Sequence, residues 1–311
     1  RVRATKPGDV KITGKALGTE ESDAVELTIP VRPFGIETLT SNSGSINGSE
    51  GVKEFEITFP EDAIGGARSL EIKVSPSVAG SIFSALEYLT SYPYGCTEQI
   101  MSSFLPNIIV TQALKKLDIP SNVDRGELNR KVHDGLERLY SHQHPDGGWG
   151  WWVSDESQDF MTAYVLYGLG EAKQAGYEVE SYRIDQARVW LRSRLLENQT
   201  IPADLRAFIG FALLGSGAKD PQVQDMLYAQ RRAMTPHGLA LAGLALHAVA
   251  DPRTPELVDA VESAATTEGL AHWTGERDDL MGISYNTSAE TTAFALKLLL
   301  QAKPESARIA P

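Results

Sequence analysis

The sequence predicts a mainly α-helical protein: a two-layered ring of paired helices, an α/α toroid, preceded by a smaller antiparallel β region. Three observations predict it. Up to about residue 75, short alternating runs rich in Val, Ile, Thr and Phe are broken by Gly, Ser and Asn clusters. After Pro76 the apolar residues recur with the helical period instead. Several of the helical segments are apolar nearly all round, so they must be covered on more than one side, which a small amphipathic bundle does not do.

The β region is carried by "DVKITGKAL", "DAVELTIPV", "KEFEITFP" and "SLEIKVSP", with "SNSGSINGSEG" as a connecting loop. From there ten helical segments are expected: roughly 77–91, 97–117, 124–142, 158–174, 183–196, 202–215, 220–233, 236–249, 254–268 and 287–302. Gly and Pro mark the joints. In "FMTAYVLYGLGEA" Phe160, Tyr164 and Tyr167 fall on one face, and "ETTAFALKLLLQA" repeats the pattern. "RAFIGFALLG" and "GLALAGLALHAV" are the segments apolar all round.

Composition narrows the function. With 311 residues the chain can hold two or three domains. Its 41 Asp and Glu against 29 Lys and Arg give a net charge of -12, which repels phosphate backbones and anionic lipid; nucleic acid is excluded as a partner. No apolar run reaches the roughly 18 residues of a membrane span, and residues 1–30 hold no signal-peptide core. The chain opens inside a strand-like pattern and is read as a piece of something longer, with any targeting segment elsewhere. Sequons at Asn47, Asn198 and Asn286 matter only in a eukaryotic secretory pathway.

Cys96 is the only cysteine, so no intramolecular disulfide exists. Alone it reads as a small buried apolar residue. Its setting, "YPYGCTEQIM", says more. Pro93 and Gly95 bend the chain before a helix, which puts Cys96 at a helix N-terminus, where the dipole favours a thiolate. Gln99 lies one turn on, within side-chain reach. A thiol attacking that amide would expel ammonia and leave a thioester in a roughly fifteen-membered ring counted along trans peptide units.

"PYGCTEQ" resembles the thioester motif of the alpha-2-macroglobulin and complement superfamily, Pro-x-Gly-Cys-x-Glu-Gln, and "YPYGCTEQ" is most similar to its bacterial branch. "SDAVELTIPVRPFGIETL" resembles the strand entering that family's CUB domain. "DFMTAYVLYGLGEA", "PHGLALAGLAL" and "SAETTAFALKLLLQA" resemble successive inner helices of its thioester domain. The resemblance implies three regions: 1–30 the end of a macroglobulin β domain, 31–75 the first part of a CUB domain, and 76–311 the thioester domain. The family's toroid has twelve helices, so the remaining pair and CUB strands are expected beyond Pro311.

The resemblance also implies a mechanism. A thioester between Cys96 and Gln99 is kept dry against neighbouring macroglobulin domains until a protease cuts a bait region; the Gln99 acyl group is then captured by a target amine. The protein is thus expected to be a suicide trap for proteases, not an enzyme, without cofactor or metal. It is expected in the periplasm or on the cell surface, anchored as a lipoprotein through a segment outside this chain, as a bacterial defence factor. Glu98 is the family's glutamate beside the reacting glutamine; it reads equally as a favourable first-turn carboxylate. Tyr94 and Tyr92 could shield the thioester or simply pack, and packing is favoured for Tyr92.

Complement members place a histidine in a later loop, where it passes the acyl group to hydroxyls. The matching stretch here, "LENQTIPADLRAF", is short and has none, so direct attack by amines is expected. His133, His142, His144, His237, His247 and His272 read as surface or packing residues. "QHPDGGWGWW" resembles a motif of terpenoid cyclases, which share the toroid, but those enzymes need an Asp-rich motif, and the only adjacent Asp pair, Asp278 and Asp279, lacks the remaining carboxylates. It reads better as a tight turn with Trp149, Trp151 and Trp152 packed on the ring. No His and carboxylate set has metal-ligand spacing. A toroid enzyme of cyclase type and a non-covalent binding module are the competing readings.

Overall fold

The computed structural model describes residues 3–32, 34–36, 38–42, 44, 46, 51–64, 66, 68–72, 74, 95–117, 124–215, 217–266, 271–275 and 288–309. The chain divides into two compact units, Arg1–Val74 and Ser75–Pro311.

In the first unit β1 (Gly8–Leu17) and β2 (Ser22–Val31) form an antiparallel hairpin with Gly8 opposite Val31 and Leu17 opposite Ser22. Val10 faces Ile29 and Ile12 faces Leu27, so the alternation read in the sequence puts apolar side chains on one face. The runs 53–60 and 69–76 were expected as strands, but their described residues form none. Alternation suits a chain to one buried face, yet a strand exists only when its N–H and C=O groups find a partner edge. Here Phe55, Ile57, Leu70 and Ile72 remain exposed.

The second unit is helical. Among the described residues it contains α1 (Thr97–Leu117), α2 (Arg125–His142), α3 (Asp159–Gln174), α4 (Ser181–Glu197), α5 (Ala203–Leu214), α6 (Pro221–Gln230), α7 (Pro236–Ala248), α8 (Thr254–Ser263) and α9 (Ser288–Ala302), with a 3-10 turn at Arg231–Ala233. The expected helix 77–91 lies outside the described residues. The odd-numbered helices form the inner layer: α1 packs on α3, α3 on α5, α5 on α7, and α7 on α9. The even-numbered ones form the outer layer: α2 lies on α1, α4 on α3 and α5, α6 on α5, and α8 on α7 and α9.

Burial follows the layers. In α5 every residue from Leu205 to Leu214 is buried, and in α7 every one from Ala240 to Leu246. Outer helices bury one stripe, such as Leu128, Val132, Leu136 and Leu139 in α2. α1 and α3 approach closely at Gly168, where a Cβ would lie 2.4 Å from Met101 Cε, the terminal methyl of a flexible side chain.

Since each inner helix returns through an outer one, inner helices run parallel and their N-termini share one face of the ring. Direct bonds show this: Thr235 N, before α7, donates to Asp204 Oδ1 in the first turn of α5 at 3.0 Å, and Thr291 Oγ1 in α9 lies 3.5 Å from His237 Nδ1 in α7. The inner helices also meet through aromatic rings. Tyr167 packs against Phe211, and Phe211 against Phe294. Beside them Glu171 of α3 accepts from Gln112 of α1 and pairs with Lys297 of α9 at 3.6 Å, tying three inner helices together.

Two loops on the shared face use one device. Trp149 Nε1 donates to Leu139 O near the end of α2, while its backbone N–H donates to Thr162 Oγ1 in α3. Trp273 Nε1 donates to Val261 O near the end of α8, and its N–H to Thr292 Oγ1 in α9. This clip explains why α8 stops at Ser263 and not at 268: Thr266 already pairs with His272 to deliver Trp273. Trp149 is fully buried and Trp151 half-buried with its Nε1 on Gln158 Oε1, but Trp152, expected to pack, is 55% exposed. Its carbonyl, not its ring, holds the turn, by accepting from His144 Nε2 at 3.0 Å.

At the α7 to α8 corner the buried Asp251 carboxylate accepts from Arg253 Nε, Arg253 Nη2 and Gln224 Nε2. The Arg253 bonds hold its carboxyl well below the usual carboxylate range despite burial. A depressed folded-state value stabilises the fold above the unfolded value of about 4, and that stabilisation is lost as pH falls. Asp251→Asn is expected to cost about 1–2 kcal/mol near neutrality, since Arg253 is partly solvated. In urea unfolding at a series of pH values, the gap between variant and wild type should close on acidification; a gap independent of pH would refute the ionic origin.

Candidate functional site

Cys96 accepts the first intrahelical bond of α1, from Ile100 N to Cys96 O at 3.0 Å, which makes it the N-cap. Gln99 is then the third helical residue. Its side chain folds back so that Cys96 N donates to Gln99 Oε1 at 3.1 Å. This is half of a capping box, with cysteine where serine or threonine usually stands. The bend before it is real: Gly95 has φ +101, a left-handed value that L side chains resist. Cys96 is only 7% exposed, whereas Gln99 is exposed. Cys96 thus belongs to the buried part of the turn and Gln99 to its exposed part. Tyr92, Tyr94 and Pro93 lie outside the described residues.

Between them Thr97 is fully buried and fixed twice. Its N–H donates to Trp151 O at 2.9 Å, and its Oγ1 lies 3.1 Å from His142 Nδ1. Trp151 N in turn donates to Asp155 Oδ2 at 2.9 Å. The tryptophan-rich turn after α2 thus sits directly on the first turn of α1. Glu98 is half-buried and points along α1, where Ser102 Oγ donates to its Oε1 at 2.5 Å. Ser102 also bonds Tyr164 of α3, whose phenol is pushed up to about 12, chiefly by burial, with the charges of Glu98 and Glu290 adding to it.

The structure brings one histidine to the motif. His142 was read as a surface or packing residue, yet it holds Thr97; burial, then the charges of Arg138 and His144, lower its pKa, so it is neutral at pH 7. Of the others, His144 bonds Ser157 Oγ, His133 packs edge-on against Tyr177, and His237 edge-on against Phe294. Residues 198–202, joining α4 to α5, form a tight link. Asn198 Oδ1 accepts from Thr200 N, and the buried Arg206 donates to the carbonyls of Leu195, Asn198 and Ile201. Arg206→Met would strand those carbonyls and is expected to lower stability by about 2–4 kcal/mol in urea unfolding. A loss below 0.5 kcal/mol, the range of an ordinary surface change, would refute the assignment.

Thr97 and Asp155 were not singled out from the sequence, where His142 was read as a surface or packing residue and Trp151 as packed on the ring. Their pairing crosses between elements 45 or more residues apart for His142 and Thr97, and no periodicity encodes it.

Residues 72–201 match the family described as the A-macroglobulin TED domain. The alpha-2-macroglobulin of Thermotoga maritima is 33% identical over 177 residues, which are 57% of this chain and 10% of that protein. Among solved structures, native Escherichia coli alpha-2-macroglobulin spanning domain MG7 to the C-terminus superposes with a TM-score of 0.56 at 23% identity, covering 70% of this chain and 35% of that one. Salmonella alpha-2-macroglobulin reacted with methylamine gives 0.57 at 22% identity, covering 72% and 15%. This chain therefore spans about a tenth of the length of its curated relative, and the solved structures share its fold. Residues 72–201 are thus similar to the thioester domain of alpha-2-macroglobulins, and the inner and outer layers of helices give the second unit the fold of the solved bacterial alpha-2-macroglobulins.

Proposed function

We propose that the chain carries the reactive part of a covalent protease trap, in which Cys96 and Gln99 form an internal thioester and Gln99 becomes the point of attachment. The observation that carries this reading is the folded-back first turn: the Gln99 side-chain carbonyl accepts from the N–H of the Cys96 N-cap, and Cys96, the only cysteine of the chain, is buried. The Salmonella relative that reacts with methylamine supports an acyl group open to small amines. The absence of a histidine in the 198–202 link supports direct attack by amines, lysine ammonium groups of a protease among them, after loss of a proton.

On this reading residues 1–30 end a macroglobulin β domain, 31–75 begin a CUB domain and 76–311 form the thioester domain. Neighbouring macroglobulin domains keep water from the bond until a protease cuts a bait elsewhere in the full protein. The reaction runs once per molecule, so the protein is an inhibitor and not an enzyme. A periplasmic or surface location, lipoprotein anchoring and a defence role belong to the same proposal. Among the described residues no helix is long and apolar enough to cross a membrane.

Intact mass of gently purified protein tests it. The expected mass is one ammonia below the sequence value; methylamine should then add once and release one titratable thiol. A full sequence mass with Cys96 titratable from the start would favour the binding-module reading.

A further inference from the structure

Resting on the thioester reading, we propose that the backbone N–H of Cys96 is the oxyanion-hole donor of the acyl-transfer chemistry, and that Gly95 is the positioning residue that admits it. Cys96 N lies 3.1 Å from Gln99 Oε1. A backbone N–H can only donate, so the atom it holds is the carbonyl oxygen and not the amide nitrogen. That oxygen is the one atom of the Gln99 amide, besides its carbon, that stays in place throughout.

In the first step the Cys96 sulfur attacks Gln99 Cδ, the C–N bond breaks, and ammonia leaves carrying the thiol proton. In the second an amine attacks the same carbon, the C–S bond breaks, and the Cys96 sulfur takes a proton from the attacking amine. Both pass through a tetrahedral carbon whose negative charge collects on Oε1. The Cys96 N–H already points at it, and it does so at the N-terminus of a 21-residue helix whose aligned peptide dipoles favour negative charge there. The bond that caps the helix in the resting state is thus the bond that stabilises the transition state. Exposure gives each partner its side: the amine reaches Gln99 from solvent, and the sulfur departs toward the interior.

Gly95 makes room for this arrangement. A Cβ there would stand 1.8 Å from Gln99 Oε1 and 2.8 Å from Cδ. Any side chain at 95 must push the carbonyl off the Cys96 N–H. This steric conflict is separate from the left-handed φ of +101, which a non-glycine residue resists by about 1–2 kcal/mol.

Because Cys96 is the only cysteine, nitrogen-15-labelled cysteine gives the 311-residue chain one labelled backbone amide. In protein shown by mass to hold the thioester, that amide should exchange slowly with deuterium, and the thioester carbonyl band in infrared difference spectra, before against after methylamine, should sit at lower wavenumber than that of a thioester without a hydrogen bond. Gly95→Ala should slow methylamine-driven thiol release about a hundredfold and remove the exchange protection, with the helical circular dichroism unchanged. The wild-type infrared band tests the proposal independently of how the variant folds. An intact thioester with an unshifted band and a freely exchanging Cys96 amide would overturn it, as would a Gly95→Ala chain reacting at the wild-type rate. A sequence mass without ammonia loss overturns the thioester reading itself, and this inference with it.

Discussion

Cys96→Ala is expected to abolish methylamine uptake altogether: the variant keeps the full sequence mass, releases no thiol, and retains Gln99 as an amide. The loss is complete because the sulfur is the leaving group as well as the nucleophile that forms the bond, and no other cysteine can replace it. Stability should change little, because Cys96 caps α1 through its backbone: its carbonyl accepts from Ile100, and its N–H is held by Gln99. Cys96→Ser separates the two roles. A serine completes the capping box and should hold or raise stability by about 0.5–1 kcal/mol, yet its hydroxyl is too poor a nucleophile and leaving group to give an amine-reactive acyl group. Methylamine incorporation at Gln99 in Cys96→Ala, read by peptide mass mapping, would refute the thioester.

The largest stability loss is expected at Trp149. The side chain is fully buried, its indole N–H donates to Leu139 O at 2.7 Å, and its backbone both donates to and accepts from Thr162 Oγ1. Trp149→Ala should cost about 3–5 kcal/mol from the cavity alone, with the stranded Leu139 carbonyl adding to it. Trp149→Phe keeps most of the apolar volume and removes the donor, so it should cost about 1–2 kcal/mol beyond the lost volume. Urea unfolding of both variants separates packing from hydrogen bonding; a Phe variant as stable as wild type would show that the indole bond contributes nothing. The position also bears on the proposed thioester motif. Trp149 seats the turn that delivers Trp151 O to Thr97 N, beside Cys96.

The helices of the ring were legible because burial on one stripe or all round leaves a mark in the sequence. "RAFIGFALLG" reads as covered on every side, and α5 is buried from Leu205 to Leu214. The strands were legible only in part. β1 and β2 pair as their alternation suggests, but residues 53–60 carry the same alternation and form no ladder among the described residues, because pairing is a property of two segments. The repeated tryptophan clip went unread for a related reason. "TAYVL" and "TAFAL" are visibly alike, but what joins each to its tryptophan is a bond between a loop and the helix after it, spanning 13 residues in one case and 19 in the other.

The sequence by itself determined the helical ring and the joints between its helices, and it singles out Cys96 and Gln99 as the proposed reactive pair, since a cysteine and a glutamine three apart at a helix start share one turn. Only the tertiary structure decided what surrounds them. That Thr97 is held by His142 and Trp151 follows from parallel packing of the inner helices, which gathers distant loops on one face, whereas the Gln99 carbonyl on the Cys96 amide is a contact within one turn. Local chemistry is written along the chain, whereas the contacts that orient it depend on which elements the core brings together.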